Sequence, residues 1–221
     1  MKICFMSDLH GKYKQIDQDK IKGHILIVCG DSFAQGISEK ELIDFNIWLG
    51  KTKPRHRILI WGNHDTIAER HPAYAKSLIT NAIVLCDEGV EIDGVKIWGT
   101  PYSPQFGRWS FMRDDRDNDL GRHFGLIPDN IDILVTHSPP FGILDENVYG
   151  DKCGSIMLLN KIIKNPPKIN AFGHIHEAHG QYSNNNTQFI NCSLLNEHYL
   201  LVRYPVIIDF KKNKVDDSDK S

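Results

Sequence analysis

The stretch Ile58-Leu-Ile-Trp-Gly-Asn-His-Asp65 decides how the rest of this chain is interpreted. Its short, β-branched apolar run predicts a buried strand. Gly62 then permits a sharp exit from that strand, because glycine accepts backbone angles that other residues avoid. Asn63, His64 and Asp65 follow just past the carboxyl end of the strand, where open α/β sheets bind ligands. Such a tetrapeptide would suit many turns on its own, so its weight depends on the rest of the chain.

Four further predicted strands end in the same residue types. The polar side chains that follow them are, in chain order, Asp8 and His10, then Asp31, then His137, then His174 and His176. Asp8 and His10 are two residues apart, so in an extended chain both would point to one side. Chance rarely places only Asp, Asn and His after five strands, and we therefore expect these groups to converge.

Converging oxygen and nitrogen ligands without cysteine suit Mn²⁺, Fe or Zn²⁺ better than they suit a structural zinc site. The number of candidate ligands exceeds what one tetrahedral ion takes. Two metal ions about 3.5–4 Å apart fit better, sharing one bridging carboxylate and activating a water molecule between them.

The composition fits a single globular domain, since a chain of 221 residues buries roughly 70% of its unfolded surface. The net charge of −2 gives no field that would attract a long nucleic acid. The five cysteines are scattered and odd in number, which favours reduced thiols in a cytoplasmic protein. No segment reaches the ~20 apolar residues of a membrane span. The first residues enter a strand at once, so we expect no signal peptide.

Strands and helices alternate along residues 1–210, which we predict to be one domain, and the charged residues 211–221 predict a disordered tail. The predicted strands are residues 2–6, 25–29, 57–61, 82–85, 90–92, 95–98, 131–136, 168–172, 187–191 and 206–210. The Asp93-Gly94 turn predicts a hairpin between the fifth and sixth of these strands.

Three helices are predicted between the strands. Ser38 and Glu41 form a capping-box pattern at the start of a helix that runs to about residue 49. A short helix is predicted over residues 72–79, and an amphipathic helix over 154–163. The apolar face predicted for this last helix consists of Ile156, Leu159 and Ile163.

Residues 99–127 are rich in aromatic side chains and arginine, and a loop this long is usually functional or carries its own structure. Its rings could form an aromatic wall beside a substrate, or they could simply anchor a surface excursion. Six histidines match no strand end, and we expect them to be surface or structural residues: His24, His56, His71, His123, His179 and His198.

The order DxH, GD, GNHD, H and GHxH resembles the calcineurin-like metallophosphoesterase superfamily. These blocks span residues 8 to 176, about three quarters of the chain. The resemblance implies an α/β fold, a four-layer α/β/β/α sandwich of two mixed β-sheets flanked by helices. Residues 98–109, 136–140 and 172–177 are similar to a small branch related to class III cyclic-nucleotide phosphodiesterases, which includes brain-expressed metallophosphoesterase-domain proteins of animals.

The resemblance also implies a role for each site residue. The implied ligands of a first metal ion are Asp8, His10 and His176, and those of a second are Asn63, His137 and His174, with Asp31 bridging the two ions. The implied nucleophile is a hydroxide between the metals. His64 would be no ligand but would face the scissile phosphate or protonate the leaving oxygen. Asp65 would hydrogen-bond His64 and fix its tautomer.

Departures from the superfamily pattern refine the expected activity. Protein phosphatases of the superfamily carry an arginine in the GD block and another after GNH[DE], whereas none follows Asp31 or Asp65 here. This favours a small phosphodiester or nucleotide over a phosphoprotein. Some relatives carry glycine at the first histidine of GHxH, but His174 is present, so we expect a complete site.

Several alternatives remain open at the level of sequence. A phosphomonoesterase, a nuclease or nucleotide pyrophosphatase, and a nucleotide-binding scaffold with low activity would use the same blocks. Mn²⁺ is the expected metal, with Fe, Zn²⁺ or Mg²⁺ as alternatives. We expect a small-molecule phosphoester as substrate and no membrane partner, and the sequence favours no particular oligomeric state.

Overall fold

The computed structural model of the protein describes residues 1–116 and 118–211. Its strands in chain order are β1 (Lys2–Met6), β2 (Ile25–Cys29), β3 (His56–Ile60), β4 (Ile83–Leu85), β5 (Glu88–Ile92), β6 (Val95–Thr100), β7 (Ser103–Pro104), β8 (Met112–Arg113), β9 (Ile133–Thr136), β10 (Ile169–Phe172), β11 (Gly180–Ser183), β12 (Gln188–Asn191) and β13 (Val206–Asp209). Its α-helices are α1 (Glu39–Gly50), α2 (Thr66–Arg70), α3 (Pro72–Leu78), α4 (Asp119–Gly125) and α5 (Ile156–Lys164).

Two mixed sheets dominate the molecule. The first has the order β13-β1-β2-β3-β4, with β1 to β4 parallel and β13 antiparallel at one edge. The second has the order β11-β12-β10-β9-β6-β5, with a parallel centre and an antiparallel strand at each edge. The predicted hairpin is the β5–β6 pair. Parallel strands align their carboxyl ends, so each sheet presents one edge of loops to a ligand.

Alternation along β1 shows how the layers form. Ile3 and Phe5 face the core between the two sheets, whereas Cys4 and Met6 face the helical side. Helices α1 to α3 cover that outer face of the first sheet, and α4 and α5 cover the second sheet. The fold is therefore the predicted sandwich of two mixed sheets flanked by helices. None of the described helices combines the length and apolar character that a membrane crossing requires.

Three predicted details of the helices are wrong. The side chain of Ser38 makes no capping hydrogen bond to α1, and Glu41 Oε1 instead accepts from the backbone N–H of Ala34 at 3.2 Å. The buried face of α5 is Leu158 and Ile162 rather than the predicted one, since Ile156 and Ile163 are 51% and 69% exposed. Ser155 caps this helix, accepting from Leu158 N–H, so the helix begins later than predicted.

The segment over residues 99–127 carries its own structure. Strands β7 and β8 pair in parallel, α4 follows them, and Ser110 N–H donates to the carbonyl of Asn63 at 3.2 Å. Strand β11 and helix α2 are further elements that the sequence did not predict. The tail predicted for residues 211–221 lies, apart from Lys211, outside the described residues.

Candidate metal centre

Loops from both sheets meet at the predicted site. The end of β1 joins the two sheets, because Ser7 N–H donates to Cys192 O at 3.0 Å and Leu194 N–H donates to Ser7 O. The first sheet contributes the loops with Asp8, His10, Asp31 and Asn63, and the second contributes those with His137, His174 and His176. Six of these seven side chains are buried, and His174 is half-buried: Asp8, His10, Asp31, Asn63, His137 and His176 are the buried ones.

The first group of candidate ligands is Asp8, His10 and His176. Their ligand atoms all lie within 4.8 Å of one another. His10 Nε2 is 3.3 Å from His176 Nε2, and the latter is 3.5 Å from Asp8 Oδ1. One cation could contact all three side chains, as expected from the sequence.

The second group surrounds His137. His137 Nε2 lies 2.9 Å from Asn63 Oδ1 and 3.4 Å from Asp31 Oδ1, and Asp8 completes a cluster with Asp31 and His137. The other Asp31 oxygen, Oδ2, lies 3.6 Å from His10 Nε2 of the first group. The Asp31 carboxylate therefore lies between the two groups, which is where a bridging ligand would have to be.

His174 is near the centre but outside these close groups. Its ring centroid is 4.9 Å from that of His137. Its backbone N–H donates to both Asp8 oxygens at 3.0 and 3.1 Å. The residue thus orients a carboxylate of one group through its backbone while its ring approaches the other group.

His64 is held next to the centre by three neighbours. Its Nδ1 lies 3.2 Å from Ala34 O, its ring is stacked on Trp109 at 4.4 Å between centroids, and it meets His10 edge-on at 4.6 Å. One ring nitrogen of His64 also lies within 4.8 Å of the candidate ligand atoms of His10 and Asp31. The sequence did not identify Ala34 or Trp109 as partners, and the aromatic density of residues 99–127 was the only signal for the latter.

The predicted hydrogen bond between Asp65 and His64 is wrong. Asp65 Oδ2 accepts from Gly62 N–H at 2.7 Å, and Oδ1 accepts from Phe33 N–H at 3.3 Å. The turn after β3 directs this buried carboxylate back toward backbone amides, since Asp65 N–H itself donates to Gly62 O. Asp65 therefore ties the end of β3 to the loop after β2.

Left-handed backbone conformations are concentrated at the centre. Asp8, His10, Asp31 and His174 have φ of 55°, 40°, 50° and 71°. Non-glycine residues rarely adopt such angles, and they persist where surrounding structure enforces them, often at functional sites. The extended chain predicted for Asp8 and His10 is therefore wrong, although both side chains do reach the same group.

Two glycines leave room for the carboxylates. A Cβ added to Gly62 would overlap Asp31 Oδ1, and one added to Gly173 would overlap Asp8 Oδ2 and Ser7 Oγ. These close approaches explain why the GNHD and GHxH stretches begin with glycine. The space that a methyl group would fill is taken by carboxylates that point toward the centre.

The electrostatics of the centre fit a metal ion. Burial opposes the Asp8 carboxylate, yet the hydrogen bond and charge of His176 hold its pKa at about 2. Burial likewise opposes Asp31, but the attraction of His137 keeps its pKa well below the usual value. No lysine or arginine within residues 1–116 and 118–211 forms an ion pair with either carboxylate. Two buried negative charges without such a partner are suited to a cation.

The histidines divide into two kinds. Burial lowers the pKa of His10 to about 4 and that of His174 to about 3, so both rings are neutral, as a metal ligand must be. Burial also opposes a charge on His137 and His176, but the attraction of Asp31 raises the pKa of His137 to about 10, and a hydrogen bond to Asp8 raises that of His176. A divalent ion would replace the protons on His137 and His176, so the donor set fits a divalent metal ion.

Comparisons with known proteins show which family the chain belongs to. The family model for calcineurin-like phosphoesterases matches residues 1–178. UPF0046 protein T07D4.2 of Caenorhabditis elegans is 36% identical over 90% of this chain and 57% of its own length. Human metallophosphoesterase domain-containing protein 1 is 32% identical over 94% of this chain and 70% of its own length. The chain thus spans little more than half of one of these relatives.

Solved structures show the same fold. The crystal structure of TT1561 of Thermus thermophilus superposes with a TM-score of 0.61 over 86% of this chain and 88% of its own, at 11% identity. GAP50 of Plasmodium, described as the anchor in the inner membrane complex, superposes with a TM-score of 0.52 over 88% of this chain and 71% of its own, at 14% identity. With the family match and the identity to curated relatives, these findings show that the chain belongs to the calcineurin-like phosphoesterase family.

Proposed function

We propose that the protein is a dimetal-dependent phosphodiesterase that hydrolyses a small diester or a nucleotide. The observation that carries this proposal is the convergence of two groups of buried ligands on the two oxygens of Asp31. His64 lies beside them as a histidine outside the implied ligand set. A single structural ion would need neither a bridging carboxylate nor such a neighbour.

In this proposal two divalent metal ions would be held by different ligands. Asp8, His10 and His176 would hold the first ion, Asn63, His137 and His174 would hold the second, and Asp31 would be shared between them. When bound, the ions neutralise phosphate charge and lower the pKa of water enough to supply a nucleophile near neutral pH. Mn²⁺ is the metal that we expect, because Asp, Asn and His are ligands it accepts.

The protein's own contribution to bond cleavage is assigned to His64. Its Nδ1–H can donate to the Ala34 carbonyl at 3.2 Å, which leaves Nε2 as the nitrogen that meets the substrate. Protonated at Nε2, the ring donates to the leaving oxygen as the ester bond breaks. Asp65 has a separate role, because it fixes the β3 loop on which His64 is carried.

The charges around the centre favour diesters over monoesters. A monoester dianion carries one negative charge more than a diester, and enzymes that bind it commonly add arginine or lysine. In the described ranges neither Asp8 nor Asp31 forms an ion pair with such a side chain. A small substrate, rather than a long nucleic acid, agrees with the net charge of −2. We expect the reaction to take place in the cytoplasm.

The test compares two chromogenic substrates on chelated protein to which Mn²⁺ is added back. Bis-p-nitrophenyl phosphate should be hydrolysed faster than p-nitrophenyl phosphate, and only with metal. His64→Ala should lower turnover of a diester with a more basic leaving group, such as diphenyl phosphate, about 10²-fold or more, and that of bis-p-nitrophenyl phosphate less, while metal content stays the same. His71→Ala, which changes an exposed histidine outside the centre, serves as the matched control.

Three results would contradict the proposal. A preference for the monoester would indicate a phosphatase. Full activity of His64→Ala would overturn the assigned acid. Two bound metals with no turnover of either ester would indicate a binding protein.

A further inference from the structure

A cavity beside His174 takes no part in the chemistry proposed above. Its volume is about 490 Å³, which lies within the ~300–1,000 Å³ typical of small-molecule sites. It opens between the 104–106 segment on one side and the 147–154 loop on the other. The lining residues that matter here are Gln105, Phe106, Lys152, Cys153, His174 and Glu177. The ring of His174 connects this cavity to the metal centre.

Phe106 forms the apolar wall of the cavity. Its ring centroid is 5.5 Å from that of His174, yet 67% of the residue is exposed. The strands on either side hold the segment in place, because Ser103 N–H donates to Phe111 O and Gln105 N–H donates to Arg113 O, both at 3.0 Å. The backbone that carries Phe106 is therefore fixed, and its largely exposed ring could gain by being covered.

The opposite wall is formed before any ligand arrives. Glu177 Oε1 accepts from Val148 N–H at 2.9 Å, and Asn147 Oδ1 accepts from the backbone amides of Tyr149 and Asp151. Cys153 N–H donates to Asp145 O at 3.0 Å. These contacts fix the loop, so a ligand entering the cavity would lose little free energy in ordering it.

The charges in the cavity do not suit a second phosphate. Its lysine, Lys152, is paired with Glu146 at 2.7 Å and lies 3.8 Å from Asp145. Glu177 adds a negative charge to the lining. An uncharged, flat group that stacks on Phe106 and hydrogen-bonds at its edge to Gln105 or Glu177 fits these walls better than an anion does.

The position of His64 decides which part of a diester enters the cavity. His64 contacts His10, whereas His174 contacts His137. His10 lies near Asp31 Oδ2, and His137 lies near Asp31 Oδ1. The proposed acid therefore lies beside the first group of candidate ligands, whereas the cavity lies beside the second group. Because the leaving oxygen must lie within reach of His64, the other ester group of the diester is the one that can enter the cavity.

We infer that the cavity between Phe106 and the 147–154 loop binds the organic group that the diester retains, and that this group is a flat aromatic or heteroaromatic ring. The inference rests on the proposed phosphodiesterase function for its substrate class. It identifies Phe106 as the residue that determines specificity for the retained group.

The first test uses two diesters with the same leaving group, p-nitrophenyl phenyl phosphate and p-nitrophenyl methyl phosphate. The ratio of their kcat/KM values should favour the phenyl ester, and Phe106→Ala should lower this ratio by about three- to tenfold. Phe106→Tyr should keep it, since the ring remains. Tyr204→Ala is the matched control, because Tyr204 is also 67% exposed and lines a different part of the surface.

The second test measures binding without turnover. Phenylphosphonate and methylphosphonate are titrated into Mn²⁺-loaded protein by calorimetry, and the preference for the phenyl compound should again fall about three- to tenfold in Phe106→Ala. Equal affinities for the two phosphonates, or no binding by either, would overturn the inference. A ratio of kcat/KM that Phe106→Ala leaves unchanged would overturn it as well.

The two proposals fail in different ways. Absence of turnover together with a Phe106-dependent preference for phenylphosphonate would refute the phosphodiesterase and support the aromatic cavity. Diester turnover without any preference for the phenyl group would support the phosphodiesterase and refute the aromatic cavity.

Discussion

At the scale of single residues, His64 shows how an exposed loop can determine the chemistry of a buried centre. Its imidazole is fixed by the Ala34 carbonyl through Nδ1 and by stacking on Trp109 at 4.4 Å. Trp109 is itself 47% exposed and belongs to the 99–127 segment. Ser110, the next residue, anchors that segment to the Asn63 carbonyl. The loop therefore positions the proposed acid relative to a proposed ligand.

Removing the indole ring of Trp109 should impair the positioning of His64 without changing metal binding. We expect Trp109→Ala to lower kcat for an aryl diester roughly tenfold, a part of the ~10²–10⁴ that acid catalysis provides. The loss should grow as the leaving group becomes more basic, because poor leaving groups need the proton most. Trp109→Phe should restore most of the rate, and metal content should be unchanged in both. A loss that is the same for all leaving groups would contradict a positioning role.

Asp65 leads to a prediction of the opposite kind. Its carboxylate accepts from two backbone amides, so Asp65→Asn loses one acceptor and should cost about 1–3 kcal/mol of unfolding free energy. Turnover of the folded protein should change only a few fold. A buried carboxylate that fixed the tautomer of His64 would cost far more activity on this change. Asp132→Asn is the control, since Asp132 Oδ2 also accepts from a backbone amide, Lys96 N–H, away from the centre.

At the scale of elements, each candidate ligand follows a strand end that turns sharply. The turns rely on left-handed residues and on glycines that leave space for the carboxylates. Gly173 is the clearest case, since its own φ lies outside the left-handed region and the constraint is purely one of space. A methyl group there would displace Asp8, which lies in the first group of ligands.

Gly173→Ala should therefore weaken metal binding at the first group as well as the fold. We expect at least a tenfold rise in the Kd for Mn²⁺, and an unfolding free energy lower by about 1–3 kcal/mol, as in other overpacked sites. Gly125→Ala is the matched control, because an added Cβ meets no atom within 4 Å and the residue lies in α4. That change should be neutral or slightly stabilising. Unchanged Mn²⁺ affinity in Gly173→Ala would contradict the assignment of Asp8.

The strand pattern could be predicted because it is local. The apolar runs of β1 and β2 have the bounds that the sequence indicates, and the other predicted strands agree within two residues. The convergence of ligands followed from those strand ends. By contrast, the face of α5, the partner of Asp65 and the stacking of Trp109 depend on what each side chain meets across the fold. Leu158 and Ile162 are no more apolar than Ile156 and Ile163, and only their position over the sheet distinguishes them.

At the scale of the whole molecule, the centre lies where the two sheets are joined. Asp8, Asp31 and Asn63 come from loops of the first sheet, whereas His137, His174 and His176 come from loops of the second. The candidate ligands would be scattered over 169 positions of an unfolded chain, from residue 8 to residue 176. Metal ions held between the sheets would bind the folded state and not the unfolded chain. The free energy of metal binding would therefore add to the free energy of unfolding.

Chelation should therefore lower the thermal stability of the whole protein. At a free Mn²⁺ concentration of about 100 times Kd, one site contributes about 2.7 kcal/mol, and the melting temperature should fall by roughly 5–10 °C when the metal is removed. Scanning calorimetry on chelated and Mn²⁺-reconstituted protein measures this shift. Asp31→Asn, which alters the proposed bridge, should show a much smaller difference between the two states.

Because residues 1–210 are predicted to be one domain, near-UV and far-UV circular dichroism should also report one transition that moves with metal. Two separate transitions, with only one sensitive to metal, would contradict both the single domain and a centre that joins the sheets.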